Sequence, residues 1–179
     1  MILIHYPVVN KNGDVIASAV TNLDMHDIAR AGRTYGVRSF YIVTPVRDQL
    51  ELVDKIVSHW VSGAGAAYNP ERREALSIIR VQESFEAALA DIASEGNGYP
   101  KTIVTSAQKQ TNSIGMNELR DMIGKGRPYV LVLGTAWGLT TDFMNQADYI
   151  LEPISGSAEY NHLSVRSAAA IMLDRLLGK

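Results

Sequence analysis

Short runs rich in Val, Ile and Leu alternate with segments of helical period along the whole chain, and this alternation constrains the fold more than any other feature. The runs at 2–8, 39–44, 75–81, 102–105, 128–133 and 149–151 have the length and composition of strands. The segments at 25–35, 46–61, 84–94, 117–123 and 163–177 have the length and periodicity of helices. Strands separated by helices of about three turns form βαβ units, whose crossovers return each strand in the same direction and build a parallel sheet. Runs that are apolar on both faces call for cover on both sides. The sequence therefore predicts an α/β fold, a parallel-sheet three-layer sandwich. The stretch 62–73 (SGAGAAYNPERR) reads as a loop, with Asn69-Pro70 marking a turn. It is too short to link domains, and there is no internal repeat, so residues 1–179 are expected to form a single domain.

Composition narrows the function by exclusion. Hydrophobic residues make up 46% and charged residues 20%, the balance of a packed domain rather than a disordered tail. The apolar start lacks a basic n-region and a small-residue cleavage site, and reads as an opening strand rather than a signal peptide. No stretch reaches the ~18 uninterrupted apolar residues of a membrane span, so a cytoplasmic chain without membrane contact is expected. There is no cysteine, which excludes disulfides, thiolate catalysis and Cys-based zinc sites. The histidines at 5, 26, 59 and 162 lack metal-ligand spacing, and no metal is expected. A net charge of −2 argues against broad coating of nucleic acid, yet leaves room for a local basic face.

Ligands of parallel sheets bind at the carboxyl ends of strands, and four such ends draw attention. The first strand leads into Asn10-Lys11-Asn12-Gly13-Asp14, and 102–105 leads into Thr105-Ser106-Ala107-Gln108. Residues 129–133 lead into Gly134-Thr135-Ala136-Trp137-Gly138-Leu139, and 149–151 into Glu152-Pro153-Ile154-Ser155-Gly156. The Gly134…Gly138 turn is compatible with a simple tight turn or with close approach of the backbone to a ligand. It is neither a P-loop nor a dinucleotide fingerprint. In the helix at 25–35, His26, Arg30 and Arg33 share one face, with Ile28, Ala31, Gly32 and Tyr35 opposite. That face is either a solvated surface, with Asp24 as N-cap and Asp27 complementing the helix dipole, or a cationic surface for RNA phosphate. His162 precedes the last helix, whose Ala168-Ala169-Ala170 permits close packing.

Taken in order, these segments resemble the SPOUT (α/β-knot) superfamily of RNA methyltransferases. Thr21-Asn22-Leu23-Asp24…Ile28-Ala29-Arg30-Ala31…Tyr35-Gly36-Val37 is similar to its first motif. Thr105-Ser106-Ala107 is similar to a step before the cofactor loop in the ribose-methylating tRNA branch. Leu131-Val132-Leu133-Gly134…Gly138-Leu139 resembles the second motif, and Glu152-Pro153-Ile154-Ser155-Gly156…Leu163-Ser164-Val165…Ala168-Ala169-Ala170 the third. Trp60, Tyr68-Asn69-Pro70-Glu71-Arg72-Arg73-Glu74-Ala75-Leu76 and Tyr160-Asn161-His162-Leu163-Ser164-Val165-Arg166 resemble a small bacterial family that some bacteria carry fused, as a C-terminal domain, to a tRNA (guanine-N1) methyltransferase. The chain departs from the superfamily pattern in three places. Asp24 stands where the ribose branch has its first-motif asparagine, Thr135-Ala136-Trp137 lacks the usual glutamate, and His162 takes the slot of a third-motif asparagine.

The resemblance implies a C-terminal deep trefoil knot and a homodimer, with the helices at 25–35 and 163–177 at the interface. It implies S-adenosylmethionine as cofactor, held mainly by main-chain groups around Thr105, Ser106, Leu133, Gly134, Gly138, Leu151, Pro153, Ile154, Gly156, Leu163 and Ser164. The implied substrate is RNA, with tRNA and the ribose 2′-hydroxyl favoured, contacted by His26, Arg30 and Arg33. The implied catalytic set is Arg30, His162 and Asn22. An arginine is a poor base, which leaves Arg30 to anchor phosphate and steady developing charge, and His162 to take the proton. Two other readings fit the same residues: a catalytically weak knotted subunit that presents RNA to a partner enzyme, or a doubly wound nucleotide- or flavin-binding module.

Overall fold

The computed structural model describes residues 1–124, 126–158 and 160–179. In chain order the elements are β1 (Ile2–Ile4), β2 (Val8–Val9), β3 (Val15–Ile16), α1 (Asn22–Thr34), β4 (Phe40–Val43), α2 (Arg47–Val61), α3 (Ala64–Tyr68), α4 (Pro70–Leu76) and β5 (Ile79–Gln82). They continue with α5 (Phe85–Ile92), β6 (Lys101–Thr105), β7 (Ser113–Ile114), α6 (Met116–Ile123), β8 (Tyr129–Gly134), α7 (Thr141–Asn145), β9 (Tyr149–Leu151) and α8 (Val165–Leu177). Seven strands form one parallel sheet in the order β5-β4-β1-β8-β6-β9-β7, while β2 and β3 make a separate antiparallel hairpin.

The period-2 alternation along each strand sorts side chains to two cores. Leu3, Phe40, Ile42, Ile103, Leu131, Leu133 and Leu151 face the core shared with α1, α2, α4, α6 and α8. Ile2, Ile4, Tyr41, Val43, Val104, Val130 and Val132 face the other, closed by α5, α7 and Val8 of the hairpin. Helices on both faces of a parallel sheet give the expected three layers. Each such fully buried Leu, Ile or Val contributes about 1.5–3 kcal/mol from apolar burial.

Local chemistry moved several expected boundaries. The run 75–81 begins as helix, because Asn69 caps α4 by accepting from Arg72 N at 2.8 Å and Pro70 occupies its first position; only Ile79–Gln82 is strand. The small residues at 62–73 form α3 and the start of α4 rather than a loop, and they are small for a packing reason. A Cβ on Gly65 would meet the Trp60 ring at 2.7 Å and the His59 carbonyl oxygen at 3.0 Å. The opening run 2–8 stops at Ile4 and resumes as the hairpin. The N-cap of α1 is Thr21, not Asp24: the Thr21 hydroxyl accepts from Asp24 N at 3.2 Å, placing Asp24 inside the first turn and burying it. The Thr-x-x-Asp spacing carries that signal in the sequence.

Candidate active site

The strand order sets β8, β6 and β9 side by side, so their carboxyl ends form a row. Val104 lies opposite Val132, Thr105 opposite Leu151, and Ile4 of β1 opposite Gly134. Neighbouring strands lie about 4.8 Å apart, so loops 105–107, 134–139 and 152–156 leave from adjacent points. The Thr105 hydroxyl donates to Val132 O at 3.1 Å and closes the row. Thr105, Leu133, Leu151 and Ile154 are buried and form a mostly apolar floor. Ser106, Gly134, Gly138 and Pro153 are half-buried at the rim, whereas Gly156, Leu163 and Ser164 are exposed. Asn161 Nδ2 donates to Ala107 O at 3.0 Å, tying the segment after β9 to the loop after β6. The Ser164 hydroxyl caps α8.

Gly134 is required by a contact from within its own loop. A Cβ there would lie 2.8 Å from Leu139 Cγ and 2.9 Å from Leu139 N. Alanine at 134 is expected to lower stability by about 1–3 kcal/mol through overpacking. Urea unfolding reads this directly, and an unchanged midpoint would show that Leu139 yields without cost. The turn that follows is pinned to the hairpin: Trp137 N donates to Val9 O at 3.0 Å, and Val9 N to Gly138 O at 2.9 Å. Gly138 has φ +109° and Ala136 has φ +52°. For a non-glycine residue that conformation costs about 1–2 kcal/mol.

A main-chain pocket for a nucleoside cofactor needs an apolar floor and uncommitted backbone groups. The floor is present, and among the described residues the main chain of Ile154, Ser155 and Gly156 makes no hydrogen bond. A Cβ on Gly156 would meet nothing within 4 Å. These residues fit the group the family resemblance implies. The clefts of about 780 and 360 Å³ on the described surface lie elsewhere. One sits at the amino ends of β6 and β8, around Tyr99, Arg127 and Asp148, and the other beside β5, around Val53, Arg80 and Asp91. Neither is bordered by the row of strand ends.

On the α1 side, a chain of hydrogen bonds joins β1 to the loop after β8. The Thr135 hydroxyl donates to Ile4 O at 3.0 Å, so it must accept from Ser18 Oγ, and Ser18 in turn accepts from His5 Nδ1 at 3.0 Å. The chain of donors fixes the neutral tautomer of fully buried His5, whose Nε2 is left as an acceptor with no partner among the described residues. Burial pushes its pKa down to about 4, against a smaller opposing pull from Asp24. Nearby, Arg166 of α8 reaches Asp24 at 3.1 Å and Asp27 at 3.5 Å, fastening the start of α8 to the start of α1.

The expected functional side chains fall into distinct settings. Asn22 is the exposed first residue of α1. His26 meets the edge of Trp60 at 5.5 Å, and Arg72 stacks over the same ring at 4.8 Å. Burial, then the charge of Arg72, hold the His26 pKa down. Arg33 is engaged by Glu74 at 2.6 Å. Arg30, between them on the helix, is exposed and has no side-chain partner among the described residues. His162 is exposed on the segment before α8, its ring 5.8 Å from that of Tyr160. Sequence reasoning missed the His5–Ser18–Thr135 chain and the Asp24–Arg166 pair, because residues 117 and 142 positions apart carry no local signal of contact.

A parallel α/β sheet with a row of loops leaving the carboxyl ends of adjacent strands is the setting in which proteins of this architecture bind ligands. More particularly, the chain belongs to a family of SAM-dependent RNA methyltransferases, whose profile matches residues 1–178. A tRNA (guanine-N(1)-)-methyltransferase of Oleidesulfovibrio alaskensis is 44% identical over 176 residues, 98% of this chain. The chain spans only 41% of that relative's length. A protein of Aquifex aeolicus is 39% identical over 178 residues, covering 99% of this chain and 87% of its own. The fold is shared with the SpoU methyltransferase AviRb from Streptomyces viridochromogenes in complex with the cofactor AdoMet, at a TM-score of 0.58 and 14% identity. That match covers 98% of this chain and 55% of AviRb.

Proposed function

We propose that this chain is an S-adenosylmethionine-dependent methyltransferase acting on RNA, with tRNA as substrate and a ribose 2′-hydroxyl as the favoured acceptor. The observation that carries the reading is the row formed by β8, β6 and β9, floored by Thr105, Leu133, Leu151 and Ile154, in a chain whose whole length matches the family. When bound, the cofactor supplies a methyl group on a sulfonium. The chain's own residues would orient and discharge the acceptor. Main-chain groups of 154–156, with the glycines of the turn at Gly134 and Gly138 allowing close approach and Ser106, Leu163 and Ser164 at the rim, hold the nucleoside. Arg30 anchors an RNA phosphate and steadies charge growing on the attacking oxygen. His162 accepts the hydroxyl proton, while Asn22 orients the acceptor. Holding the reacting atoms about 3–3.5 Å apart contributes the larger part of the acceleration.

Within this proposal residues 1–179 act as one domain, the segment after β9 threads beneath the loop after β6 as a trefoil knot, and two copies pair through α1 and α8. The Asn161–Ala107 contact and the packing of α8 on α1 support the threading and the shared face. The protein works in the cytoplasm; no helix among the described residues is long and apolar enough to cross a membrane. Calorimetry with S-adenosylmethionine, set against flavin and nucleotides, should give binding to the first alone. Methylation of unmodified tRNA, with the product nucleoside identified by mass, should yield a 2′-O-methylated nucleoside. His162→Ala is expected to slow transfer while cofactor affinity holds, and an unaltered rate would remove its role. A chain that binds the cofactor and RNA but transfers nothing is the RNA-presenting subunit instead, a reading that the lack of the second-motif glutamate in Thr135-Ala136-Trp137 favours.

A further inference from the structure

Trp137 is 65% exposed, although a side chain of its size ordinarily finds cover. It sits at the carboxyl end of β8, on the turn that borders the row of strand ends. Its backbone is fixed on both sides: its own N–H is bonded to Val9 O, Gly138 N to Thr135 O, and Gly138 O to Val9 N. The preceding Ala136 holds a left-handed conformation, φ +52°, that a glycine would adopt at lower cost. Strain of this kind is retained where surrounding structure enforces it, and it collects at sites of function. Here it turns an indole outward on a rigid mount. The turn that carries this exposed ring borders the row of strand ends, whose floor Leu133, Leu151 and Ile154 supply.

The neighbouring hairpin adds charge. Asn10 Oδ1 accepts from Asn12 N at 2.8 Å and from Asp14 N at 3.0 Å, shaping a tight tip that leaves Lys11 exposed, with no partner among the described residues. Lys11 follows Val9, the residue bonded to Trp137, by two positions, roughly 7 Å of chain. An exposed indole on a turn hydrogen-bonded to the hairpin, with an exposed lysine at that hairpin's tip, matches a nucleobase and its phosphate.

We propose that Trp137 is the platform on which an unpaired base of the RNA substrate stacks, with Lys11 taking the adjoining phosphate. This rests on the RNA methyltransferase reading and assigns to the same site the single-stranded element of its substrate. Trp137 is thus a substrate-positioning residue on the turn bordering the row, and the reaction itself is unchanged by the assignment.

Trp60 and Trp137 are the only tryptophans, which makes the test direct. Single-stranded oligoadenylate should quench the fluorescence of the wild-type protein and leave that of Trp137→Phe almost unaffected. Trp137→Ala should raise the KM for RNA, or the Kd for oligoadenylate, about ten- to a hundredfold, and Trp137→Phe should recover most of the loss. Affinity for S-adenosylmethionine and the sedimentation coefficient should not move. Lys11→Ala should lower the slope of log Kd against log salt by about one phosphate. Equal quenching in Trp137→Phe, or full RNA affinity in Trp137→Ala, would overturn the proposal. Loss of cofactor affinity would make the ring a cofactor contact, and a change of oligomeric state would make it a protein contact; either ends the RNA assignment. Quenching by RNA in a protein that neither binds the cofactor nor methylates would sink the enzymatic reading alone. Methylation with Trp137→Ala at full efficiency would sink the platform alone.

Discussion

Arg30→Ala is expected to slow methyl transfer about a hundred- to a thousandfold, the loss typical when one donor aimed at developing negative charge is removed. His26, Arg30 and Arg33 share the outer face of α1, and the structure distinguishes them. Arg33 is committed to Glu74, and His26 to Trp60 with its protonation disfavoured. Arg30 alone of the three has no side-chain partner among the described residues. It lies one turn beyond Asp27, which Arg166 draws toward the start of α8 and hence toward the His162 segment. Single-turnover measurements with saturating RNA isolate the chemical step, and cofactor affinity should stay within about twofold, since an alanine there alters no contact of the strand-end row. Arg30→Lys should fall between the two, keeping the charge but losing the planar fork. An Arg30→Ala enzyme that transfers at the wild-type rate would take Arg30 out of the mechanism and leave α1 a supporting helix.

The second large effect is on stability. Acidification from about pH 6.5 to about pH 4 should cost the fold about 3 kcal/mol through His5 alone, taking about 1.4 kcal/mol per unit of pKa difference. The folded-state pKa lies below the unfolded one, so in this window the unfolded chain binds a proton that the native chain refuses. Above pH 6.5 both states are neutral at His5 and the effect is absent. It grows as the pH falls and levels off below about 4, where both states are protonated. The cause is local: protonated His5 would bury a cation whose Nε2–H has no acceptor among the described residues, since Nδ1 already serves Ser18. Urea unfolding at pH 7 and pH 4.5 should show the loss in the wild type and a smaller one in His5→Gln. Parallel pH dependences for the two proteins would show that His5 is not the group responsible.

Period and burial made the sheet legible before any coordinates. Strands buried on both faces, such as β4 with Phe40, Tyr41, Ile42 and Val43 all at 0% exposure, read as continuous apolar runs, and the helices between them keep a 3.6-residue stripe. The glycine turn after β8 and the Pro153–Gly156 segment were equally visible as interruptions at strand ends. Short elements were not. The hairpin β2–β3, β7, α3 and α7 span two to five residues each, too few to show a period. Their positions come from contacts made elsewhere, as with α3, which exists where Gly65 lets it lie against Trp60.

The amino-acid order by itself thus determined a parallel α/β sheet and the chain positions of its loops, because hydrophobic period and turn chemistry are local properties. Tertiary structure alone decided which loops meet, which cations stay free and which polar groups are buried. Strand order sets Val104 beside Val132, Thr105 beside Leu151 and Gly134 beside Ile4, Glu74 neutralises Arg33 while Arg30 remains available, and His5 is linked to Thr135 across 130 positions of chain through Ser18. Such pairings depend on packing energies summed over distant segments, and no local window of sequence contains them.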